Sequence, residues 1–177
     1  MQLNGHGRST EDSPPTGAFT CEITLRRIRA PEFVREDKAG VTYLVARDYK
    51  AVYDTLLRFA AGAELLAKVR LFGELNQRVV IRDRQGRPAL MSGYVQGRAE
   101  ISDADERLIF HGRYYDSRTV QALSGDEALT PSGPTVVDHW VNAFGEGRFA
   151  GHAFSMGGQL TRHGDGPLDG HGRGQID

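Results

Sequence analysis

The sequence predicts a mainly β protein: an antiparallel up-and-down barrel of about eight strands, with one helix near residues 48–61. Three observations predict it. Apolar and polar residues alternate with period two along most of the chain. From Glu74 onward, long alternating runs are separated by short turns rich in Gly and Asp. Glycine also occurs inside those runs, as in "GRFAGHAFSMGGQL" at 147–160. A linker would not carry Phe149, Phe154, Met156 and Leu160, and each glycine costs a helix about 1 kcal/mol relative to alanine. A strand in a curved wall accommodates both residue types. Long strands that must hide their edges tend to close into a barrel.

The elements follow in order. Residues 1–17 are polar and rich in Gly, Ser and Pro, which reads as a disordered tail or as a lid over a pocket mouth. The barrel domain is expected over 18–163. In "TCEITLR", Cys21, Ile23 and Leu25 alternate with polar neighbours, and "VTYLVA" forms a second strand after a loop. In "DYKAVYDTLLRFAAG" the apolar spacing changes. Tyr49, Val52, Tyr53, Leu56 and Ala60 share one helical face, Asp48 can cap its start, and Gly62 can end it. "AELLAKVRLF" fits either an extension of this helix or a strand. "ELNQRVVIRD", "ALMSGYVQGRAEIS", "RLIFHGRYYDSRTV", "TVVDHWVNAF" and "FAGHAFSMGGQLTR" are strands, and Gly86 suits the first turn between them. "SGDEALTPSGP" reads as a loop. Residues 164–177 read as a flexible tail that can add at most a short edge strand.

Composition excludes several function classes. The net charge is −1, so no basic excess drives binding to nucleic acid. One cysteine, Cys21, rules out an internal disulfide and fits a reducing, cytoplasmic setting. The N-terminus lacks the apolar stretch of a secretory signal, and no apolar run is long enough to span a bilayer.

"FGEGRFAGHAFSMGGQLT" resembles a hairpin of the allene oxide cyclase-like and dirigent-like barrels, through Gly145, Gly147, Phe149 and Gly151. "DRQGRPALMSGYVQGRAEISDADERLIFHG" is similar to the same meander. The resemblance covers about residues 74–162. It implies an eight-stranded barrel with a lumen open at one end, often a homo-oligomer such as a dimer or trimer. It also implies chemistry like that of bacterial polyketide cyclases of the spirotetronate type, which use no cofactor. No catalytic residue carries over, because no catalytic motif matches, and a helix at 48–61 departs from the pattern.

Candidate residues come from predicted strand faces. Met91, Gly93, Val95, Gly97, Ala99 and Ile101 share one face. Leu108, Phe110, Gly112, Tyr114 and Asp116 would face them on the next strand. The third strand offers Val136, Asp138, Trp140, Asn142 and Phe144, or the equally plausible set Val137, His139, Val141 and Ala143. The last strand offers His152, Phe154 and Met156. The composition suits a small-molecule pocket.

The expected function is a cofactor-independent cyclase or isomerase acting on a flexible apolar, polyketide-like intermediate. Met91, Val95, Phe110, Trp140, Phe154 and Met156 are the candidate substrate contacts. Tyr114 is a candidate oxyanion donor, and Asp138 and His152 are candidate acid–base groups. A non-catalytic binding barrel and a structural or oligomerising barrel with a filled core are the alternatives. His111, His139 and His152 lie on three strands but lack the close spacing usual for metal ligands. The parity of Cys21 makes it a buried, inert thiol. No Gly-x-Ser-x-Gly elbow is present. Gly145, Gly147 and Gly151 precede no helix, which argues against a dinucleotide site.

Overall fold

A computed structural model describes residues 13–121, 135–162, 164 and 166–177. The expected tail or lid lies mostly outside these residues, as do the loop at 124–134 and His163. The described strands are β1 (Gly17–Arg27), β2 (Val34–Lys38), β3 (Val41–Phe59), β4 (Glu64–Arg82), β5 (Pro88–Ser102), β6 (Leu108–Gln121), β7 (Thr135–Gly145), β8 (Ala153–Arg162) and β9 (Leu168–Ile176). The sheet order is β1-β9-β8-β7-β6-β5-β4-β3, and pairing of β1 with β3 closes an eight-stranded barrel. Strand β2 lies outside it, paired only with β3. All pairings are antiparallel.

The helix expected near 48–61 is instead the long second half of β3. Tyr49, Ala51, Tyr53, Thr55, Leu57 and Phe59 are buried at every second position. Two features hide that alternation in the sequence. Ala51 and Thr55 are weakly apolar although they face inward, while Val52 and Leu56 are apolar on the outer face. A register shift between Ala46 and Tyr49 breaks the pattern further. "AELLAKVRLF" belongs to β4, which pairs with β3 around a turn in which Gly62 has φ +89°.

The C-terminal segment is likewise not a flexible tail. Strand β9 fills the wall between β1 and β8. Its glycines stand where neighbouring strands project large side chains. A Cβ on Gly172 would lie 2.9 Å from Cys21 Sγ and 3.0 Å from Ile23 Cδ1. The opening stretch, 147–160, divides in two. Gly147–Phe149 forms a 3-10 turn, and the strand starts only at Ala153.

The turns before and after β5 share one device. Asp83 Oδ1 accepts from the amides of Gln85 and Arg87, and Asp103 Oδ1 from those of Asp105 and Arg107. Such side-chain-to-backbone bonds fix a turn locally. Gly86 has φ +79°, as the sequence predicts.

The lumen is packed with side chains and has two unlike ends. At one end Phe110 lies 4.8 Å from Phe149 and 5.3 Å from Phe154, ring centre to ring centre. Phe19 continues the cluster to Phe154 and Phe59. These rings seal that end. The other end carries the last residues of β1, β6 and β8 and the first of β9, and it is polar.

Close backbone approach in the wall yields a test. Gly97 pairs with Gly73, and a Cβ at Gly97 would stand 2.0 Å from the Phe72 carbonyl oxygen. Gly97→Ala is expected to cost at least about 2 kcal/mol in urea unfolding. Phe144→Ser, at a side chain that is 70% exposed, is expected to change stability by no more than about 0.5 kcal/mol.

Candidate functional site

A chain of buried polar side chains crosses the lumen. Tyr49 and Tyr53 project inward from β3, Asp116 and Arg118 from β6, and His139 from β7. Asp116 and His139 are direct cross-strand partners. The Tyr53 hydroxyl lies 3.1 Å from His139 Nε2, and His139 Nδ1 lies 2.5 Å from Asp116 Oδ1. An ionised carboxylate only accepts, so His139 Nδ1 donates to Asp116. In the neutral ring, Nε2 then accepts from Tyr53. Arg118 Nη2 lies 3.5 Å from Asp116 Oδ2 and donates to the Tyr49 hydroxyl at 2.8 Å. The Arg118 guanidinium also sits 5.0 Å from the centre of the Tyr49 ring.

Burial controls the protonation of these groups. Desolvation, the largest influence on Arg118, works against its charge. Tyr49, Asp116 and Tyr114 together outweigh it, so Arg118 holds its proton more firmly than an ordinary arginine. Desolvation pushes the Tyr53 phenol well above the usual range, with Cys21 and Asp116 adding to the effect. It raises Tyr114 too, reinforced by Tyr49 and Asp116. Among the described residues, the buried Tyr114 hydroxyl and Arg118 Nε have no hydrogen-bond partner.

Arg118 and Tyr49 form the floor of a cavity of about 310 Å³ at the polar mouth. Leu25 and Leu168 supply apolar wall, and Arg27 and Arg162 stand at its sides. Arg162 donates to Thr135 Oγ1 at 3.1 Å. Among the described residues, no acidic side chain lines this cavity.

The sequence-predicted site residues scatter. Tyr114 faces inward, but its hydroxyl is enclosed in the wall, beside the backbone of Gly73, and Tyr114 is not among the residues that line the mouth cavity. Val95, Phe110, Phe154 and Met156 face inward as expected, yet they form packed core rather than a pocket lining. Met91 belongs to a smaller apolar cluster with Leu44 and Val120. Leu108 is exposed, next to a register shift in the β5–β6 pairing.

Three assignments are corrected. Strand β7 turns its other face inward, so Val137, His139, Val141 and Ala143 are buried. Trp140 is 42% exposed on the outer wall, in a row with Tyr115 and Tyr94. Asp138 is also on that outer face, where it accepts a hydrogen bond from Gln159 at 3.1 Å. His152 sits in the turn at the sealed end, with Nδ1 against the Asp177 carbonyl, far from the polar chain.

The three histidines do not converge. His139 is buried, whereas His111 lies outside, 2.8 Å from Glu146. Among the described residues, no group of three or more His, Cys, Asp and Glu is placed to hold a metal ion. Cys21 is buried, with Sγ 3.6 Å from Met156 Sδ, and burial pushes its thiol pKa up. Among the described residues, no helix is long and apolar enough to cross a membrane.

Fold and site define a closed eight-stranded barrel with one aromatic-sealed end and one arginine-lined mouth. Comparison of the chain with protein-family models, with curated proteins and with solved structures finds no match.

The buried chain makes two predictions. Asp116→Asn leaves Arg118 without its counter-charge and should cost about 3–5 kcal/mol in urea unfolding, whereas the double variant Asp116→Leu/Arg118→Met should recover most of that loss. Tyr114→Phe removes an unpartnered hydroxyl and should be neutral or stabilising by up to about 1 kcal/mol at pH 7. Below about pH 10, Tyr53 and Tyr114 are neutral in both folded and unfolded chains. Above it the unfolded chain releases their protons and the folded chain keeps them. Stability therefore falls as pH rises, by up to about 1.4 kcal/mol per unit for each phenol. Urea midpoints measured from pH 9 to 11.5 should show this fall, and Tyr114→Phe should make it shallower.

Proposed function

We propose that the protein is a cofactor-independent cyclase or isomerase whose chemistry takes place at the mouth of the barrel rather than in its centre. The hydrogen bond from Arg118 to Tyr49 at the cavity floor carries this reading. Arg118 occupies the Tyr49 oxygen as donor, which turns the phenolic proton toward other acceptors. A substrate carbonyl oxygen at the cavity floor would receive that proton as a hydrogen bond. The Arg118 charge would stabilise negative charge as it grows on the same oxygen.

Such polarisation suits a cyclisation that redistributes bonds within one molecule. New ring bonds form as π bonds are consumed, with no net proton transfer and no change in mass. The wall residues Leu25 and Leu168 would hold the flexible apolar part of the substrate folded over the polarised carbonyl. The hairpin resemblance to allene oxide cyclase-like and dirigent-like barrels points the same way.

A second reading is a structural or oligomerising barrel. The packed lumen favours it, and so does the exposed row formed by Tyr94, Tyr115 and Trp140.

Linear polyenyl ketones and esters offered to the protein should yield a product of unchanged mass and new retention time. Tyr49→Phe should lower kcat/KM about 10²- to 10³-fold, measured at a temperature where the variant is folded, because losing the acceptor of Arg118 should also cost about 1–3 kcal/mol in urea unfolding. Recovery of every compound unchanged, or full activity in Tyr49→Phe, would overturn the proposal.

A further inference from the structure

We infer that the barrel mouth is a binding site for an organic anion, and that the group it recognises is a carboxylate on a short apolar chain. The inference deepens the reading of the mouth as the reactive site, because it names the class of molecule held there.

Arg26, Arg27, Arg29, Arg118 and Arg162 all line one cavity of about 310 Å³. In a chain with net charge −1, this concentration of cations is local and not a consequence of composition. Two of them are answered within the protein. Arg29 pairs with Asp48, and Arg118 is balanced by Asp116. Arg26 and Arg27 have no ion pair or side-chain hydrogen bond among the described residues. Among the described residues no acidic side chain lines the cavity, so that lining keeps a positive excess of two charges, from Arg26 and Arg27, even without Arg162.

Repulsion among clustered cations destabilises the folded state unless something offsets it. An anion in the cavity would offset it. Arg118 is 4% exposed and its guanidinium is fixed by Asp116 and Tyr49, so it brings a positioned charge to the cavity floor. Guanidinium forks match the planar, two-oxygen geometry of a carboxylate. The remaining lining fits the rest of such a molecule. Leu25 and Leu168 are apolar, and the volume is at the small end for a ligand site. A long chain would have to extend out of the mouth, because the lumen below is packed.

The test uses octanoate, octanamide of equal length, and inorganic phosphate, titrated calorimetrically against the full chain at low salt. Octanoate should bind, octanamide should bind at least about tenfold more weakly, and added salt should weaken octanoate alone. Arg27→Gln should weaken octanoate about tenfold, and Arg98→Gln, on the outer wall over Phe72, should leave it unchanged. Arg118→Gln disturbs the core, so the half-buried Arg27 carries the test. Phosphate should bind more weakly than octanoate, and phosphate binding as tight as octanoate's with the same dependence on Arg27 would overturn the assignment to a carboxylate on an apolar chain. Equal binding of octanoate and octanamide, or no binding of octanoate at millimolar concentration, would overturn it. Octanoate contains no reacting π system, so these outcomes do not depend on turnover. Cyclisation of neutral polyenes by a protein that ignores octanoate would remove the anion site and leave the cyclase reading standing. Octanoate binding without any cyclisation would do the reverse.

Discussion

Asp116 has no exposure to water, and the inside of this barrel is arranged around its charge. An ionised carboxylate in an apolar interior is several kcal/mol unfavourable unless charges and donors surround it. His139 and Arg118 supply both. His139 in turn engages Tyr53, and Arg118 engages Tyr49, so two strands on one side of the lumen are tied to a third across it. Breaking one link leaves another group buried and unsatisfied. The chain therefore acts as a unit, and it fixes where the Arg118 guanidinium points.

That constraint separates the two ends of the molecule. Below the polar chain, Phe19, Phe59, Phe110, Phe149 and Phe154 fill the lumen with rings. These rings are buried members of the main core cluster. Above it, arginines and two leucines frame the open mouth. The polar chain forms the boundary, with its buried pairs on one side and the Tyr49–Arg118 bond facing the cavity. A barrel of this kind can keep a rigid, sealed base while its mouth holds a ligand, because the two regions share a wall but not a packing problem.

The mainly β character, the barrel closure and the inward faces of β5 and of β6 from Phe110 onward were legible in the sequence, since alternation there is strong and the turns carry Asp or Gly at the required places. The second half of β3 was not. Its inward set includes Ala51 and Thr55, and apolar Val52 and Leu56 on the outside complete a false helical stripe. Strand β9 was missed for a related reason: its inward positions 170, 172 and 174 are glycine, because side chains from β1 and β8 occupy that space. Strand β7 presented two faces of equal hydrophobicity. The buried one is the face that holds His139, and only a partner across the sheet makes that burial tolerable. A usable signal was present. Asp116 and Arg118 continue the inward parity of Phe110 and Tyr114, and charged residues in register with a core face imply a buried pair. The arginines at the mouth come from β1, the segment that follows it, β6 and β8, so their meeting depends on closure and register, which no local pattern reveals.

The most direct test of this account is a map of where a carboxylate ligand binds, taken from amide and arginine Nε chemical shifts during an octanoate titration. The account predicts that the largest changes fall on Leu25, Arg27, Tyr49, Arg118, Arg162 and Leu168, at one end of the barrel. Changes centred on Phe110 and Phe154 would place the ligand in the lumen, and changes centred on Tyr115 and Trp140 would place it on the outer wall. Either pattern would contradict the claim that the mouth is the functional site.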